Sequence, residues 1–162
     1  MLSRYPITQS GVDYYNVSPF TVWSVLYAEI EHPTLGKIDT FCTHVVASQP
    51  FLDLSEESFA QTMELLDFIT NRTQGRTDKK VFIMGDFNFG PETSNTNGQF
   101  EDSYNLIVDS GYTDSAALYA ESTGTSYNCT LCTSNSNRGL LAHNNYAIDH
   151  IFVNEDAHLC LK

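Results

Sequence analysis

Hydrophobic and polar positions divide the chain into a short series of alternating elements. Residues 21–30 are β-branched and aromatic and apolar on both faces, the pattern of a central strand. His32-Pro33-Thr34-Leu35-Gly36 reads as a turn, and residues 37–45 return as a second strand, predicting a hairpin. Asp53 and Glu56 have capping-box spacing and open a helix to about Asn71. Along it Phe59, Met63, Leu66 and Ile69 recur at helical spacing, as a core-facing stripe would. The apolar run Val81-Phe82-Ile83-Met84 predicts a strand that gives out after Gly85 and is broken by Gly90-Pro91. A shorter helix over 101–109 stops at Gly111. Residues 112–145 are polar and turn-rich, with 125–130 a candidate strand, and 146–153 form a last apolar strand. That order of elements predicts a single layered α/β domain.

A chain of 162 residues with 41% hydrophobic and 12% aromatic residues has the material for one packed core. No apolar run approaches the roughly 20 residues of a membrane span, and Met1-Leu2-Ser3-Arg4 leads into Tyr5-Pro6 without the apolar stretch of a signal peptide. The net charge is −12, with eight Lys and Arg. Duplex-DNA binders that neutralise phosphates carry a basic face, so this balance counts against a nucleic-acid partner unless a bound cation supplies positive charge locally. Cys129-Thr130-Leu131-Cys132 has C-x2-C spacing, but a second half-site for zinc is missing. Two readings stay open: a local disulfide in an exported protein, or two thiols in a surface loop. An extracellular location is slightly favoured. Cys42, between strand residues, reads as a small buried hydrophobe. Sequons at Asn16, Asn71 and Asn128 carry little weight, since chance alone supplies about two.

The chemistry gathers at strand ends. Asp86 and Asn88 lie two apart where the 81–84 strand gives out, on the same side of an extended backbone. A carboxylate and an amide oxygen aimed together suit a hard cation, Mg²⁺ or Mn²⁺ rather than zinc, or a phosphoryl oxygen held by one. His44 closes the second strand on the face of Thr40 and Cys42. Asp149 shares a face with Ala147, Ile151 and Val153, where a buried carboxylate requires a partner. His150 then points the opposite way, beside Tyr146, Ile148 and Phe152, and reads as a packed strand histidine. Asp114 reads as a turn carboxylate, and Gln61 as the maker of a structural hydrogen bond.

Gly85-Asp86-Phe87-Asn88 after an apolar strand resembles the signature of the endonuclease/exonuclease/phosphatase superfamily. That group includes pancreatic-type deoxyribonucleases, apurinic endonucleases, inositol phosphatases and neutral sphingomyelinases. Phe41-Cys42-Thr43-His44-Val45 resembles its strand ending in Thr-His, and Ala147-Ile148-Asp149-His150-Ile151-Phe152-Val153 its late Ile-Asp-x-Ile-Phe-Val strand. Leu2-Ser3-Arg4-Tyr5-Pro6-Ile7 resembles the segment after the family's metal-binding Glu. The resemblance implies two packed mixed β-sheets flanked by helices, with a site at the sheet edges. It implies that Asp86 and Asn88 position the attacking water and contribute to cation binding. It also implies that His44 donates to a phosphoryl oxygen and that Asp149 pairs with a catalytic His from a Ser-Asp-His segment.

Tyr27-Ala28-Glu29-Ile30 and Phe41-Cys42-Thr43-His44 resemble the sphingomyelinase-like branch more than the apurinic endonucleases. The expectation is a divalent-cation-dependent phosphoester hydrolase, acting on a phospholipid or a nucleic acid. A deoxyribonuclease-like nuclease is the alternative, and a catalytically dead fragment or interaction module the alternative of another class. No stable protein partner is inferable. The family's metal-binding Glu and terminal Ser-Asp-His have no counterpart here, and related domains run to about 200 to 250 residues. Residues 1–162 are therefore expected to be a partial domain, catalytically silent alone, with an open sheet edge that favours self-association.

Overall fold

The computed structural model describes residues 2–18, 22–49, 51–76, 78–135 and 144–157. Thr21 of the first expected strand and Cys160 lie outside them. Six strands, β1 (Ile7–Tyr14), β2 (Ser24–His32), β3 (Gly36–His44), β4 (Lys80–Asp86), β5 (Tyr112–Asp114) and β6 (Asp149–Asn154), form one mixed sheet. Its order is β1-β2-β3-β4-β6-β5. Three helices, α1 (Ser55–Thr73), α2 (Glu101–Asp109) and α3 (Ser115–Thr123), accompany it. The layered α/β architecture is the expected one, and the described residues supply one sheet of it.

The predicted hairpin is β2–β3, in register from Val25↔Thr43 to His32↔Gly36. β3 then runs parallel to β4, which is possible because α1 carries the chain across between them. β6 lies antiparallel to β4. Strand alternation sorts the sheet into two faces. Val25, Tyr27, Phe41, Ile83 and Phe152 are buried in one core with Leu65, Phe68 and Ile69 of α1 and Tyr104 and Ile107 of α2. Phe68 meets Phe41 edge-on at 6.0 Å between ring centres, and Tyr104 lies 5.6 Å from Phe152. On the opposite face Leu26 and Ile151 are 41% and 46% exposed.

Four sequence expectations are corrected here. The strand expected over 21–30 is β2, Ser24–His32, and the open sheet edge expected of this chain does not lie on it, because β1 pairs along it from Ile7↔Ile30 to Tyr14↔Ser24. The core stripe of α1 is displaced: Ser58, Gln61, Thr62, Leu65, Phe68 and Ile69 are buried, whereas Met63 is 51% exposed. Phe68 and Leu65 continue the line through Ile69, so the helix is turned from the Phe59–Met63–Leu66 face. Asp53 accepts the Ser55 N–H rather than closing a box with Glu56, and Leu54 is the residue at the N-cap. The 125–130 segment is not a strand; among the described residues the regular structure between α2 and β6 is β5 and α3. By contrast α2 spans its predicted residues. The Gly111 N–H bonds the Val108 carbonyl at a φ of 91°, the left-handed geometry glycine adopts at low cost.

Candidate active site

β3, β4 and β6 bring three of the expected site residues into one row. Register pairs His44 with Asp86 and Asp86 with Asp149, so the three side chains leave the same face of adjacent strands side by side. His44 Nε2 is 3.6 Å from Asp86 Oδ2, with both side chains partly open to solvent, at 52% and 39%. Trp23 braces the imidazole edge-on at 4.3 Å. The close strand approach depends on Gly85, where a Cβ would lie 1.9 Å from the Thr43 carbonyl oxygen. Any side chain there would push β4 off β3 beside the His44–Asp86 pair.

Asn88 completes the turn. Its φ of 52° is a left-handed conformation that Asn tolerates better than most residues, and it ends the strand. Its N–H bonds Asp86 Oδ1 at 3.1 Å, its side-chain amide donates to the Val45 carbonyl at 2.9 Å, and Gln99 Nε2 donates to its own carbonyl at 2.6 Å. With Nδ2 committed to Val45, the amide oxygen is the atom left to meet a ligand. Burial raises the Asp86 carboxyl above the usual carboxylate range; the Asn88 N–H opposes this, Asp149 adds to it, and His44 and His150 oppose it. An open depression of about 480 Å³ is lined by Met84, Asp86, Ser115, Ala116, Asp149 and Ile151. A larger cleft of about 580 Å³, between the first turns of α1 and α2, contains none of these carboxylates.

Asp149 was expected on a buried apolar face with a partner. Instead it is exposed, since the face it shares with the 46%-exposed Ile151 is open here, and its burial requires no compensation. His150 is the packed strand histidine of the sequence reading, fully buried among Phe87, Phe89, Tyr104 and Phe152. Its partner is Asp114, which is therefore more than a turn carboxylate. His150 Nδ1 donates to Asp114 Oδ2 at 2.8 Å, and Nε2 donates to the Phe89 and Ala147 carbonyls at 2.7 and 3.1 Å. Both ring N–H groups thus find acceptors.

Asp114 also caps α3 through the Ala116 N–H and accepts the Tyr127 hydroxyl at 2.6 Å. Burial alone would raise its carboxyl, but the bond to His150, the charge of His150, Tyr127 and the Ala116 N–H together hold it below the usual range. Burial, followed by the negative charge of Asp114, pushes the Tyr104 and Tyr127 phenols up. This network ties the turn after Asn88 to the segment entering β6. Sequence reasoning missed it, although a histidine on a buried face always calls for acceptors. Gln61 makes the structural bonds foreseen for it, accepting from the Val46 N–H and donating to the Val17 carbonyl. Cys129 and Cys132 form a disulfide.

The family model for the endonuclease/exonuclease/phosphatase family matches residues 1–160. The chain belongs to that family. The structure resembles the catalytic domain of human Nocturnin with bound sulfate, at a TM-score of 0.67 and 18% identity, over 94% of this chain and 49% of that one. It resembles a mannosyl-6-phosphatase of Bacteroides thetaiotaomicron at 0.63 and 16%, over 93% and 53%. D. rerio TDP2 complexed with a single-strand DNA product matches at 0.64 and 17%, over 93% and 54%. At these identities the likeness concerns the fold, and this chain spans about half the length of each. No curated protein matches the chain. Members of the family are generally phosphoester-cleaving and divalent-metal dependent. Among the described residues no group of three or more His, Cys, Asp or Glu is disposed to hold a metal, and no helix is long and apolar enough to cross a membrane.

Proposed function

We propose that this chain carries part of the catalytic site of a divalent-cation-dependent phosphoester hydrolase. The observation that carries the reading is the cross-strand row of His44, Asp86 and Asp149, with Asn88 folded beneath it. Burial, and after it the Asp149 carboxylate alongside, raises the proton affinity of Asp86, and a bound cation would offset both. The donors are hard oxygens, so Asp86 and Asn88, with Asp149 alongside, fit Mg²⁺ or Mn²⁺. When bound, such a cation neutralises charge on a phosphoryl oxygen.

The protein's own part is then positional. Asp86 orients the attacking water and accepts its proton. Asn88, fixed by Val45 and Gln99, presents its amide oxygen. His44 donates to the phosphoryl oxygen that gains charge as the ester bond breaks. The lean towards a sphingomyelinase-like substrate gains no support from geometry. Tyr27, Glu29 and Phe41, which carry much of that likeness, lie on the face opposite the row, in the core or paired with Lys37 and Arg76. A nuclease-like diesterase is the second reading, favoured by the same row and opposed by the charge balance.

The test, in a protein carrying the complete domain, is hydrolysis of bis(4-nitrophenyl) phosphate, 4-nitrophenyl phosphate and sphingomyelin with Mg²⁺, Mn²⁺ or EDTA. Turnover should require the cation. Asp86→Ala and Asn88→Ala should each lower kcat by orders of magnitude with unchanged circular dichroism, and His44→Ala by about 10²- to 10³-fold. Activity undiminished in EDTA, or in either of the first two variants, would remove the reading.

A further inference from the structure

The outer edge of β6 is covered by β5 only from Phe152 to Asn154. At the end where Asp149 sits, another group takes over. Thr130 Oγ1 accepts two successive backbone N–H groups, those of Ile148 at 3.0 Å and Asp149 at 3.1 Å. On the inner side the Ile148 carbonyl accepts the Phe87 N–H at 2.7 Å. The residue before Asp149 is thus gripped from both sides, by β4's extension and by one hydroxyl. Thr130 is itself held. Its N–H and that of Leu131 both bond the Tyr146 carbonyl, and the Tyr146 N–H returns to Leu131. It also lies inside the four-residue ring closed by the Cys129–Cys132 disulfide.

We propose that Thr130 is the positioning residue for Asp149, and that the Cys129–Cys132 disulfide keeps it in place, so that a dithiol reductant loosens the site. The inference rests on the role given to Asp149 above. In the reducing step a thiolate of the dithiol attacks one cystine sulfur and breaks the S–S bond, forming a mixed disulfide. The reductant's second thiolate displaces that sulfur. Two electrons pass to the protein, both cysteines end as thiols with a proton each, and the reductant leaves as its own cyclic disulfide. With the ring open the Thr130 hydroxyl is no longer fixed over the two N–H groups, and Asp149 loses its set distance from Asp86.

Amide hydrogen exchange of the ¹⁵N-labelled chain tests this without needing activity, with the α1 amides as the control for intact fold. Oxidised wild type and Thr130→Ser, which keeps the acceptor, should protect Ile148 and Asp149 alike. Thr130→Val, the Cys129→Ser/Cys132→Ser double variant and wild type treated with dithiothreitol should exchange at both amides at least tenfold faster, with α1 unchanged. In the bis(4-nitrophenyl) phosphate assay the same three should lose kcat with little change in KM, and Thr130→Ser should restore it. Equal protection in oxidised and reduced wild type would overturn the proposal. So would a Thr130→Ser as impaired as Thr130→Val, or faster exchange with kcat unmoved. If a protein carrying the complete domain hydrolyses no phosphoester, the functional reading fails while the exchange result still decides whether Thr130 and the disulfide hold Asp149.

Discussion

Asp86 is a residue whose surroundings work against its ionised form. Its folded-state proton affinity is raised by burial and by Asp149, so the folded protein binds this proton more tightly than the unfolded chain does. The resulting contribution to stability is complete below the ordinary carboxylate pKa, about 3.9, and is lost as pH climbs through the raised folded value. Asp86→Asn removes the charge and with it that loss. In EDTA the variant should melt higher than wild type at pH 7, converge with it near pH 3, and hydrolyse far more slowly. A lower melting temperature at pH 7 would contradict the electrostatic account. Asp114 has the opposite sign: its depressed pKa contributes stability above the ordinary carboxylate range that is lost as pH falls through the folded value. Asp114→Asn should therefore flatten the acid limb of a urea-midpoint profile. At neutral pH it should be destabilised by about 3 kcal/mol, as expected when one partner of a buried pair is removed.

Among the elements, those that bury a face were legible and those that do not were missed. α2 and β6 announced themselves through apolar spacing and the Gly111 stop. β1, largely exposed on both faces at the sheet edge, has no alternation to read in Ile7-Thr8-Gln9-Ser10-Gly11-Val12-Asp13-Tyr14. α3 buries no residue at all, so no stripe marks it. In α1 a stripe was read, but Ser58, Gln61 and Thr62 occupy its buried face and disguise the true line. A pair of substitutions checks the corrected orientation by urea denaturation. Leu65→Ala, at a fully buried site, should cost about 2 to 5 kcal/mol, and Met63→Ala should stay within about 0.5 kcal/mol. Of the candidate site, the family resemblance singled out His44, Asp86 and Asp149, and strand alternation put each on a face. The Asp114–His150 pair, 36 residues apart in sequence, exists only through the packing of β5 on β6.

For the molecule as a whole, a net charge of −12 sets the long-range field. That field repels polyanions until a cation is bound. Duplex DNA should show no change in fluorescence anisotropy with this chain in EDTA at 0.15 M salt. Tight binding under those conditions would show that a local basic surface outweighs the overall balance.

The sheet order also has a consequence for biosynthesis. β6, the last strand among the described residues, lies between β4 and β5, both made earlier. Emerging from a ribosome, Val81–Met84 enters the sheet on the β3 side while its other edge waits for roughly sixty residues, from Asp86 to Asp149. At about 5 to 20 residues per second, that edge stays open for several seconds of translation. Throughout that interval its unpaired N–H and C=O groups are a template for the wrong strand. The row of His44, Asp86 and Asp149 is thus assembled by the same late insertion that closes this open edge of the nascent chain.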